Sequence, residues 1–422
     1  MSREEQTGIS RRTFLHGIGG VAITTGAAEM VGSAAADPGV LSNEDVPRDA
    51  DGNVIPGFER SNENAPESRK PWQPVSSRKV QVGIAGYGLC QFGAQFFFQT
   101  HPNVEVVAVS DLDPKRCASL AKACRCEKTY PSCEEMIKDD AIEAIFIATD
   151  APSHAPLAIL ALNHGKHVAS AVPAMFGPNA TDDAERLFEA VKASGKKYMM
   201  FETSTFHREC HALRQQYQAG ALGKLIYSEG EYYHYKGKTL TSYNPITGAI
   251  DSYGWRRGLP PMWYATHSTA YYISVSGGRL TNVSCLGMPS IVDHLKPQNN
   301  AYRNAFGTEI AMLRTSEGGM SRMVVSWDTP SASGVKGRVY GQTLDHDSHV
   351  DRPRPPLPRE VRGGGHGGSH GYLTNDFIES ILLNRKPIVG VGEALNMTLA
   401  GVVAHQSALK DGEWMEIPQF DL

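Results

Sequence analysis

The segment KVQVGIAGYG, residues 79–88, decides the fold of this chain. Its apolar start predicts a buried strand, and the glycines that follow predict a tight turn into a helix. Gly86-Tyr87-Gly88 lies between the two, which is the context of a dinucleotide-binding fingerprint. Gly86 permits the turn, and Gly88 lets the backbone approach a pyrophosphate at the helix N-terminus. The third position of G-x-G-x-x-G is Gln91, so the pattern is incomplete.

Strand and helix patterns alternate from this segment to about residue 203. The further predicted strands are 104–113, 141–150, 167–172 and 197–203, and the predicted helices are 89–101, 114–124, 154–165 and 182–195. This alternation is typical of a doubly wound parallel sheet. We therefore predict an N-terminal Rossmann domain over residues 79–203.

The rhythm changes in residues 204–422. After one helix at 209–223, strand patterns follow one another without helices between them, at 224–235, 280–287, 307–315, 319–328 and 335–342. Strands in such succession favour an antiparallel sheet. With two closing helices, at 371–384 and 392–410, they predict a C-terminal α/β domain with an open-faced, mostly antiparallel sheet.

Two loops of the first domain carry candidate cofactor contacts. Asp111 ends the second strand, 25 residues after Gly86. A carboxylate there accepts hydrogen bonds from the adenosine ribose and repels a 2′-phosphate, so we expect NAD rather than NADP. The alternative is a turn-forming Asp beside Asp113-Pro114. Ala151 and His154 follow the third core strand at the edge where nucleotide sites form, although His154 could instead cap the next helix.

The second domain supplies the candidate proton-transfer groups. Tyr264 and His267 are three residues apart, so a helical start would turn both toward one cleft. Packing of an interface helix is the alternative. Arg256 is a candidate partner for a phosphate or a substrate oxygen. Tyr232 shares a strand face with His234 and is a candidate substrate contact.

Further polar residues lie where the two domains meet. Glu202 and His207 follow the last strand of the first domain, and either could act as an acid or base; Glu202 could equally be a helix-start carboxylate. The glycine-rich segment RGGGHGGSHG, residues 362–371, is expected to be a loop that closes over a ligand or is merely mobile. We expect no metal site, and the clustered cysteines from Cys117 to Cys133 are expected to pack in the core.

The N-terminus resembles an export signal. Ser10-Arg11-Arg12 begins a twin-arginine motif, and a weakly apolar run and Ala34-Ala35-Ala36 follow it. We predict a signal peptide over residues 1–36, export by the twin-arginine machinery to a periplasmic or other extracytoplasmic location, and a linker or arm over 37–78. The apolar run is too short and too polar to span a membrane.

Composition excludes some partners. The chain of 422 residues has a net charge of −4 and 20% charged residues, without a basic run, so nucleic acid is not expected as a partner. A small-molecule ligand fits better with a cleft between two domains of this size.

Several of these segments together resemble the Gfo/Idh/MocA family of NAD(P)-dependent carbohydrate oxidoreductases. The resemblance rests on GIAGYG, VVAVSDLDP, AIFIATDAPSHAPLAILALNHGKHV, YATHSTAYY and the late GHGGSH, and it spans about residues 79–422. It implies hydride exchange between a nicotinamide and a sugar-like carbon, and a sheet domain that often builds homo-oligomers.

One strand end departs from the common family pattern. Most dehydrogenases of the family carry Glu-Lys-Pro where this chain has Ala171-Val172-Pro173, so the proton-handling lysine is absent and Val172 would only pack near the nicotinamide. The Val-Pro-Ala continuation is similar to the NAD-dependent glycoside hydrolase branch, the α-N-acetylgalactosaminidase-like enzymes. In that branch Tyr264 and His267 match substrate-site residues, and Tyr232 matches a substrate-contacting tyrosine. Ala171 replaces the branch's glutamate, and the branch's tyrosine after SWDTPS is missing.

Export bears on the reaction. Outside the cytoplasm no NAD pool reoxidises a released cofactor, so we expect tightly bound NAD and a redox-neutral cycle. In this cycle a ring carbon is transiently oxidised, and the neighbouring C–H, made more acidic, loses its proton. The aglycone is then eliminated, water is added, and the hydride is returned. The alternatives are a sugar dehydrogenase, a sugar–sugar oxidoreductase, or a non-catalytic carbohydrate-binding protein.

Overall fold

The structure is a computed structural model of the chain. It describes residues 71–88, 90–235, 242–244, 249–251, 254–256, 258–329, 334–345 and 354–420. The predicted signal peptide and most of the predicted arm lie outside these ranges, as does the segment after SWDTP.

The first sheet is parallel, as predicted, and has six strands, one more than the five ranges that the alternation predicts. They are β1 (Val80–Ala85), β2 (Val104–Ser110), β3 (Thr129–Tyr130), β4 (Ala144–Ile147), β5 (His167–Ser170) and β6 (Tyr198–Met200), in the order β3-β2-β1-β4-β5-β6. The central strands are almost wholly buried and apolar because helices cover both faces of the sheet. The order reverses beside β1, which places a crevice at the carboxyl ends of β1 and β4.

The helices of this part are α1 (Phe92–Gln95), α2 (Pro114–Cys124), α3 (Cys133–Ile137), α4 (His154–Asn163) and α5 (Ala180–Ser194). Asp113 caps α2 by accepting the N–H groups of Lys115 and Arg116, and Pro114 occupies the first turn. The helix predicted over 89–101 was too long. The observed helix α1 ends early because Phe97 has a left-handed φ of 64°, and a separate 3₁₀ turn follows it.

The second sheet is mixed and mostly antiparallel. Its strands are β7 (Leu225–Tyr233), β10 (Leu280–Pro289), β11 (Phe306–Thr315), β12 (Met320–Ser326), β13 (Gly334–Gly341) and β14 (Met415–Glu416), in the order β13-β7-β12-β11-β10-β14; β8 (Ser242–Asn244) and β9 (Ala249–Asp251) form a separate hairpin. The pair β7–β12 is parallel, and the other pairs of the six-stranded sheet are antiparallel.

Helices cover one face of this sheet. They are α7 (Thr266–Ser276) and α9 (Val391–Ala408), which pack on β7 and β10, while α6 (Arg208–Gln218) packs on α7. Helix α8 (His370–Leu382) instead packs on the first sheet, where Leu373, Phe377 and Ile378 join the apolar core. Helix α7 approaches so closely that a Cβ at Gly230 of β7 would collide with the carbonyl of Ser268. The other face of the sheet exposes apolar side chains.

The seven cysteines all lie within the described residues and are unpaired. Cys126 lies between α2 and β3, because Arg125 ends α2 in a left-handed conformation, and it is buried as expected. Among the described residues, no helix combines the length and the apolar character that crossing a membrane requires.

Gly86 is the tightest point of the first crossover. Its φ is +102°, and a Cβ there would collide with the carbonyl oxygen of Ala148 at the end of the neighbouring strand. Gly93 is equally constrained, since its Cβ would meet the carbonyl oxygen of Gly86. The close helix–strand contact expected of the fingerprint's third glycine is therefore made at Gly93, two positions after Gln91.

We expect Gly86→Ala to lower thermal stability by more than Gly195→Ala. Both glycines have positive φ, but Gly195 has no atom within 4 Å of a built Cβ. Gly195→Ala should cost about 1 kcal/mol for backbone conformation alone, and Gly86→Ala adds the collision. Thermal unfolding of both variants measures the difference; equal losses would contradict the packing role given to Gly86.

Candidate active site

A cavity of about 870 Å³ opens at the carboxyl edge of the first sheet. Residues at the ends of β1, β2, β4 and β5 line it, together with Trp255, Arg256 and Tyr264 from the second domain. A cavity of this size suits a cofactor-sized ligand. The residues predicted to bind the cofactor that also line the cavity are Gly86, Gly88, Asp111, His154, Val172 and Arg256.

Asp111 is oriented by the glycine turn. Its Oδ2 accepts the backbone N–H of Tyr87 at 2.7 Å, and its Oδ1 accepts that of Asp113 at 2.9 Å. A carboxylate has about four acceptor positions, so two remain for ribose hydroxyls. Tyr87 thus contributes through its backbone, and its side chain is not among the described groups that line the cavity.

The loop after β4 is held by a buried histidine. His154 does not cap α4 with its side chain; its Nδ1 lies 2.8 Å from the carbonyl oxygen of Pro173, and its Nε2 lies 3.3 Å from that of Thr149. Burial lowers the pKa of His154, so the ring is neutral and donates its proton to Pro173. The neighbouring Ala151 is buried beside this loop, outside the described lining of the cavity.

The end of β5 carries no proton-transfer group. Ala171 and Val172 are buried apolar residues on the cavity wall, as the sequence indicates. His154 fixes this strand end through the carbonyl of Pro173. Any proton-transfer group at the cavity must therefore come from elements other than β5, such as the turn of the second domain that carries Tyr264.

A buried Glu–His pair lies beside the cavity. Oε1 of Glu202 is 2.7 Å from Nδ1 of His267 and also accepts the backbone N–H of Ser204 at 2.9 Å. Burial disfavours the charged carboxylate, but the charge and hydrogen bond of His267 and the N–H of Ser204 outweigh it and lower the pKa of Glu202 to about 2. Glu202 thus caps the 3₁₀ turn after β6, which is the helix-start role predicted as one of its two alternatives, and it also orients His267.

Two tyrosines surround the imidazole of His267. The ring centroid of Tyr232 lies 4.6 Å from that of His267, and the centroid of Tyr264 lies 5.8 Å from it. The hydroxyl of Tyr232 is 2.8 Å from Nδ1 of His234, on the shared side that strand alternation predicts. Burial raises the pKa of both tyrosines, so both hydroxyls are protonated at neutral pH.

Arg256 reaches the cavity from the second domain. Its guanidinium carbon lies 4.1 Å from the ring centroid of Trp255, a cation–π arrangement. Burial raises the pKa of Asp150 on the facing loop, and the positive charge of Arg256 opposes that rise. The guanidinium of Arg256 can therefore meet an anionic or polar ligand oxygen in the cavity.

His207 is set back from the cavity. Its Nδ1 lies 3.4 Å from the hydroxyl of Tyr271, and Gly367 of the glycine-rich loop packs on its ring. Burial lowers the pKa of His207 to about 4. It is near the Glu202–His267 pair but is not among the described residues that line the cavity.

Comparison with known proteins agrees with this geometry. Residues 80–202 match the family model GFO_IDH_MocA, described as an oxidoreductase family with an NAD-binding Rossmann fold. Residues 80–202 of the chain thus belong to the Gfo/Idh/MocA oxidoreductase family. The match covers the strands that carry Gly86 and Asp111 and ends at Glu202.

Individual relatives extend the match within this family. Glycosyl hydrolase family 109 protein 4 of Phocaeicola vulgatus is 29% identical over 234 residues, which are 50% of this chain and 44% of that protein. Glycosyl hydrolase family 109 protein 5 of the same organism is 30% identical over 341 residues, 72% of this chain and 63% of that protein. The chain thus spans less than two thirds of the length of these relatives.

Solved structures share the whole fold. Levoglucosan dehydrogenase in complex with NADH and levoglucosan superposes with a TM-score of 0.64 at 16% identity, over 81% of this chain and 100% of that one. Identity at this level shows a common architecture of the family's two sheets.

Sequence reasoning missed a second buried Glu–His pair. Glu309 of β11 lies 2.7 Å from Nδ1 of His405 on α9, and its other oxygen accepts the N–H of Met262 at 2.8 Å. The carbonyl of Met262 lies against Gly401, where a Cβ would collide with it. Met262, two residues before Tyr264, is therefore held at both its N–H and its C=O. The available signal was an acidic residue at a core-facing position of the strand GTEIAMLRT.

We expect Glu202→Gln to flatten the acid dependence of stability. A carboxylate whose pKa falls on folding stabilises the native state above pH 4.5 and loses that contribution as pH falls toward 2. The wild type should therefore lose up to about 3 kcal/mol from this group over that interval, and the variant should not.

Denaturant unfolding at a series of pH values measures the effect. Glu189→Gln, which changes an exposed carboxylate, is the matched control and should keep the wild-type slope. A Glu202→Gln variant with an unchanged slope would show that Glu202 is not the depressed carboxyl.

Proposed function

We propose that this protein holds NAD tightly and cleaves a glycoside through transient oxidation of a sugar ring carbon. The observation that carries the proposal is the buried Glu202–His267 pair, with Tyr264 and Tyr232 around it, opposite a strand end that has no proton-transfer group. The names of the glycosyl hydrolase family 109 relatives support it.

The residues at the carboxyl edge of the first sheet fit the cofactor. Gly86 allows the tight turn against the neighbouring strand, Gly88 leaves room for a pyrophosphate, and Asp111 keeps acceptor positions for the adenosine ribose. The Asp111 carboxylate repels a 2′-phosphate, which favours NAD over NADP. When bound, NAD supplies reversible acceptance of a hydride from a sugar carbon.

His267 is the proposed base. Because its Nδ1–H donates to the ionised Glu202, the lone pair lies on Nε2, which can take the proton of a sugar hydroxyl as its carbon is oxidised. Glu202 fixes the tautomer and stabilises the imidazolium that forms. The Glu202–His267 contact therefore sets the direction in which the base points.

Tyr264 and Tyr232 complete the proposed carbohydrate site. Tyr264, held protonated by burial, provides a hydrogen-bond donor to an oxygen that gains negative charge. Tyr232, linked to His234, offers an aromatic surface and a hydroxyl to the sugar. Arg256 would contact a cofactor or substrate oxygen. His207, behind these groups, would act on the substrate only through its neighbours.

Export and a redox-neutral reaction support each other. The twin-arginine motif at Arg11-Arg12 would carry a folded protein with its cofactor to an extracytoplasmic location. A hydride that is taken from the sugar and returned to it needs no external oxidant there. The same argument requires that NAD remain bound through many turnovers.

A second candidate is a sugar dehydrogenase or a sugar–sugar oxidoreductase. It is favoured by the fold shared with levoglucosan dehydrogenase, a structure solved in complex with NADH and levoglucosan. The two candidates differ in product: a free aglycone without net change in nicotinamide absorbance, or an oxidised sugar.

We expect His267→Ala to abolish turnover of chromogenic glycosides, with a loss of at least about 100-fold. In deuterated water the wild type should place deuterium beside the carbon that is oxidised, and the variant should not. His164→Ala, at an exposed site at the end of α4, is the control.

Denaturation of the purified wild type should release NAD. Deuterium incorporation that persists in His267→Ala would remove His267 from the assignment, whereas protein that releases no NAD would sink the bound-cofactor proposal. An oxidised sugar without aglycone would favour the second candidate.

We also propose that the open face of the second sheet binds a second copy of the chain. Leu286 and Ile310, paired across β10 and β11, are 63% and 47% exposed, and Met288 and Met312 extend the patch on the face that the helices leave uncovered. An exposed apolar sheet of this kind is typical of a subunit interface.

Ile310→Glu should shift the protein toward monomer in sedimentation velocity, because a charge would be buried in the interface. Leu383→Glu, which alters an equally exposed apolar residue after α8, should leave the distribution unchanged. A wild type that is monomeric at high concentration would contradict this proposal.

A further inference from the structure

The glycine-rich loop, residues 362–371, is held in place against the candidate site. The guanidinium of Arg354 donates to the carbonyl oxygens of Phe206, Gly367 and Gly368 at 2.8, 2.9 and 2.9 Å. Gly367 packs on His207, and a Cβ there would lie 2.8 Å from the His207 ring. The loop is thus anchored to the segment between Glu202 and α6.

Two histidines connect this loop to the first domain. Nδ1 of His366 lies 2.9 Å from Nε2 of His370, and Nδ1 of His370 lies 3.0 Å from the carbonyl oxygen of Gln95, the last residue of α1. His370 is fully buried, and its ring stacks on Phe96 with the centroids 4.1 Å apart. The contacts form a chain from α1 through His370 to His366.

The carbonyl oxygen of Gln95 fixes the proton positions along this series of hydrogen bonds from His370 to His366. A carbonyl oxygen can only accept, so Nδ1 of His370 carries a hydrogen. Burial lowers the pKa of His370 to about 4, so its ring is neutral and its Nε2 has a lone pair. The hydrogen between the rings therefore belongs to Nδ1 of His366, and the neutral His366 ring has its own lone pair on Nε2.

His366 is at the edge of the candidate site. The ring centroid of His366 lies 5.6 Å from that of Phe92, which lines the cavity. The His366 residue is exposed to solvent. Partial desolvation by the residues packed around the ring lowers the pKa of His366, and the negative charge of Glu202 opposes that effect. A ligand between the cavity and the glycine-rich loop would therefore meet this ring.

We propose that His370 is a positioning residue that holds His366 in its Nδ1–H tautomer, so that Nε2 of His366 presents a hydrogen-bond acceptor to a hydroxyl of the carbohydrate. The ligand class rests on the proposed function. The assignment of the His366 tautomer does not rest on the proposed function, since it follows from His370 and the Gln95 carbonyl alone. Without the Gln95 carbonyl, nothing in the pair would decide which ring donates.

The first test is the tautomer itself. In wild-type protein with ¹⁵N-labelled histidine rings, long-range ¹H–¹⁵N correlation should show His366 protonated at Nδ1 and not at Nε2 at neutral pH, with His366→Phe identifying the signals. His370→Phe keeps the flat ring against Phe96 but removes the acceptor, so His366 should change to the Nε2–H form. His164→Phe is the control and should leave the His366 signals unchanged.

The second test is functional. His370→Phe should weaken carbohydrate affinity, measured as KM of the chromogenic glycosides, by about tenfold, the effect of one hydrogen bond, with bound NAD and melting temperature near the wild-type values. His370→Gln, whose side-chain oxygen can accept from Nδ1 of His366, should restore both the tautomer and the affinity.

Wild-type His366 protonated at Nε2 would overturn the inference without any variant, and so would an unchanged tautomer in His370→Phe. A tautomer that changes while KM does not would remove the carbohydrate contact. If the wild type shows the expected tautomer but turns over no glycoside, the proposed function fails and the positioning role of His370 stands.

Discussion

The hydrogen bond between Glu202 and His267 joins the two halves of this protein. Glu202 lies just beyond the last strand of the parallel sheet, and His267 lies in the first turn of the helix that covers the second sheet. A carboxylate buried this completely is tolerated only with a cationic or hydrogen-bonding partner. The contact therefore fixes the distance between the cofactor-binding edge and the aromatic groups of the second domain.

The remaining parts of the candidate site are arranged around that contact by close backbone approaches and by a second buried carboxylate. Helix α7 can bring His267 close to Tyr232 because β7 has a glycine under Ser268. The turn with Tyr264 is set by Glu309 and by the glycine of α9 that admits the Met262 carbonyl. Small residues at the crossing points thus determine where the polar groups meet.

Local patterns predicted what depends on local physics. The alternation of strands and helices, the Asp113-Pro114 start of α2 and the tyrosine–histidine spacing in YATH each needed only neighbouring residues. The length of α1 was missed because left-handed residues at Gln91 and Phe97 interrupt an otherwise helical pattern. The pairs Glu202–His267 and Glu309–His405 join residues 65 and 96 positions apart, and nothing in one sequence states which acid meets which histidine.

The strand that carries Tyr232 lies inside the second sheet between β12 and β13, so both of its neighbours come roughly a hundred residues later in the chain. During synthesis the parallel sheet has all six strands once Met200 has emerged, whereas β7 gains its first ladder only after residue 320. Pairing over such separations is slow, because a long loop must close before any contact forms. The strands that carry the nucleotide-binding edge are therefore made before β7 can pair, while α8, which packs on the same parallel sheet, is made only near the end. This order allows a ligand to be enclosed as folding ends.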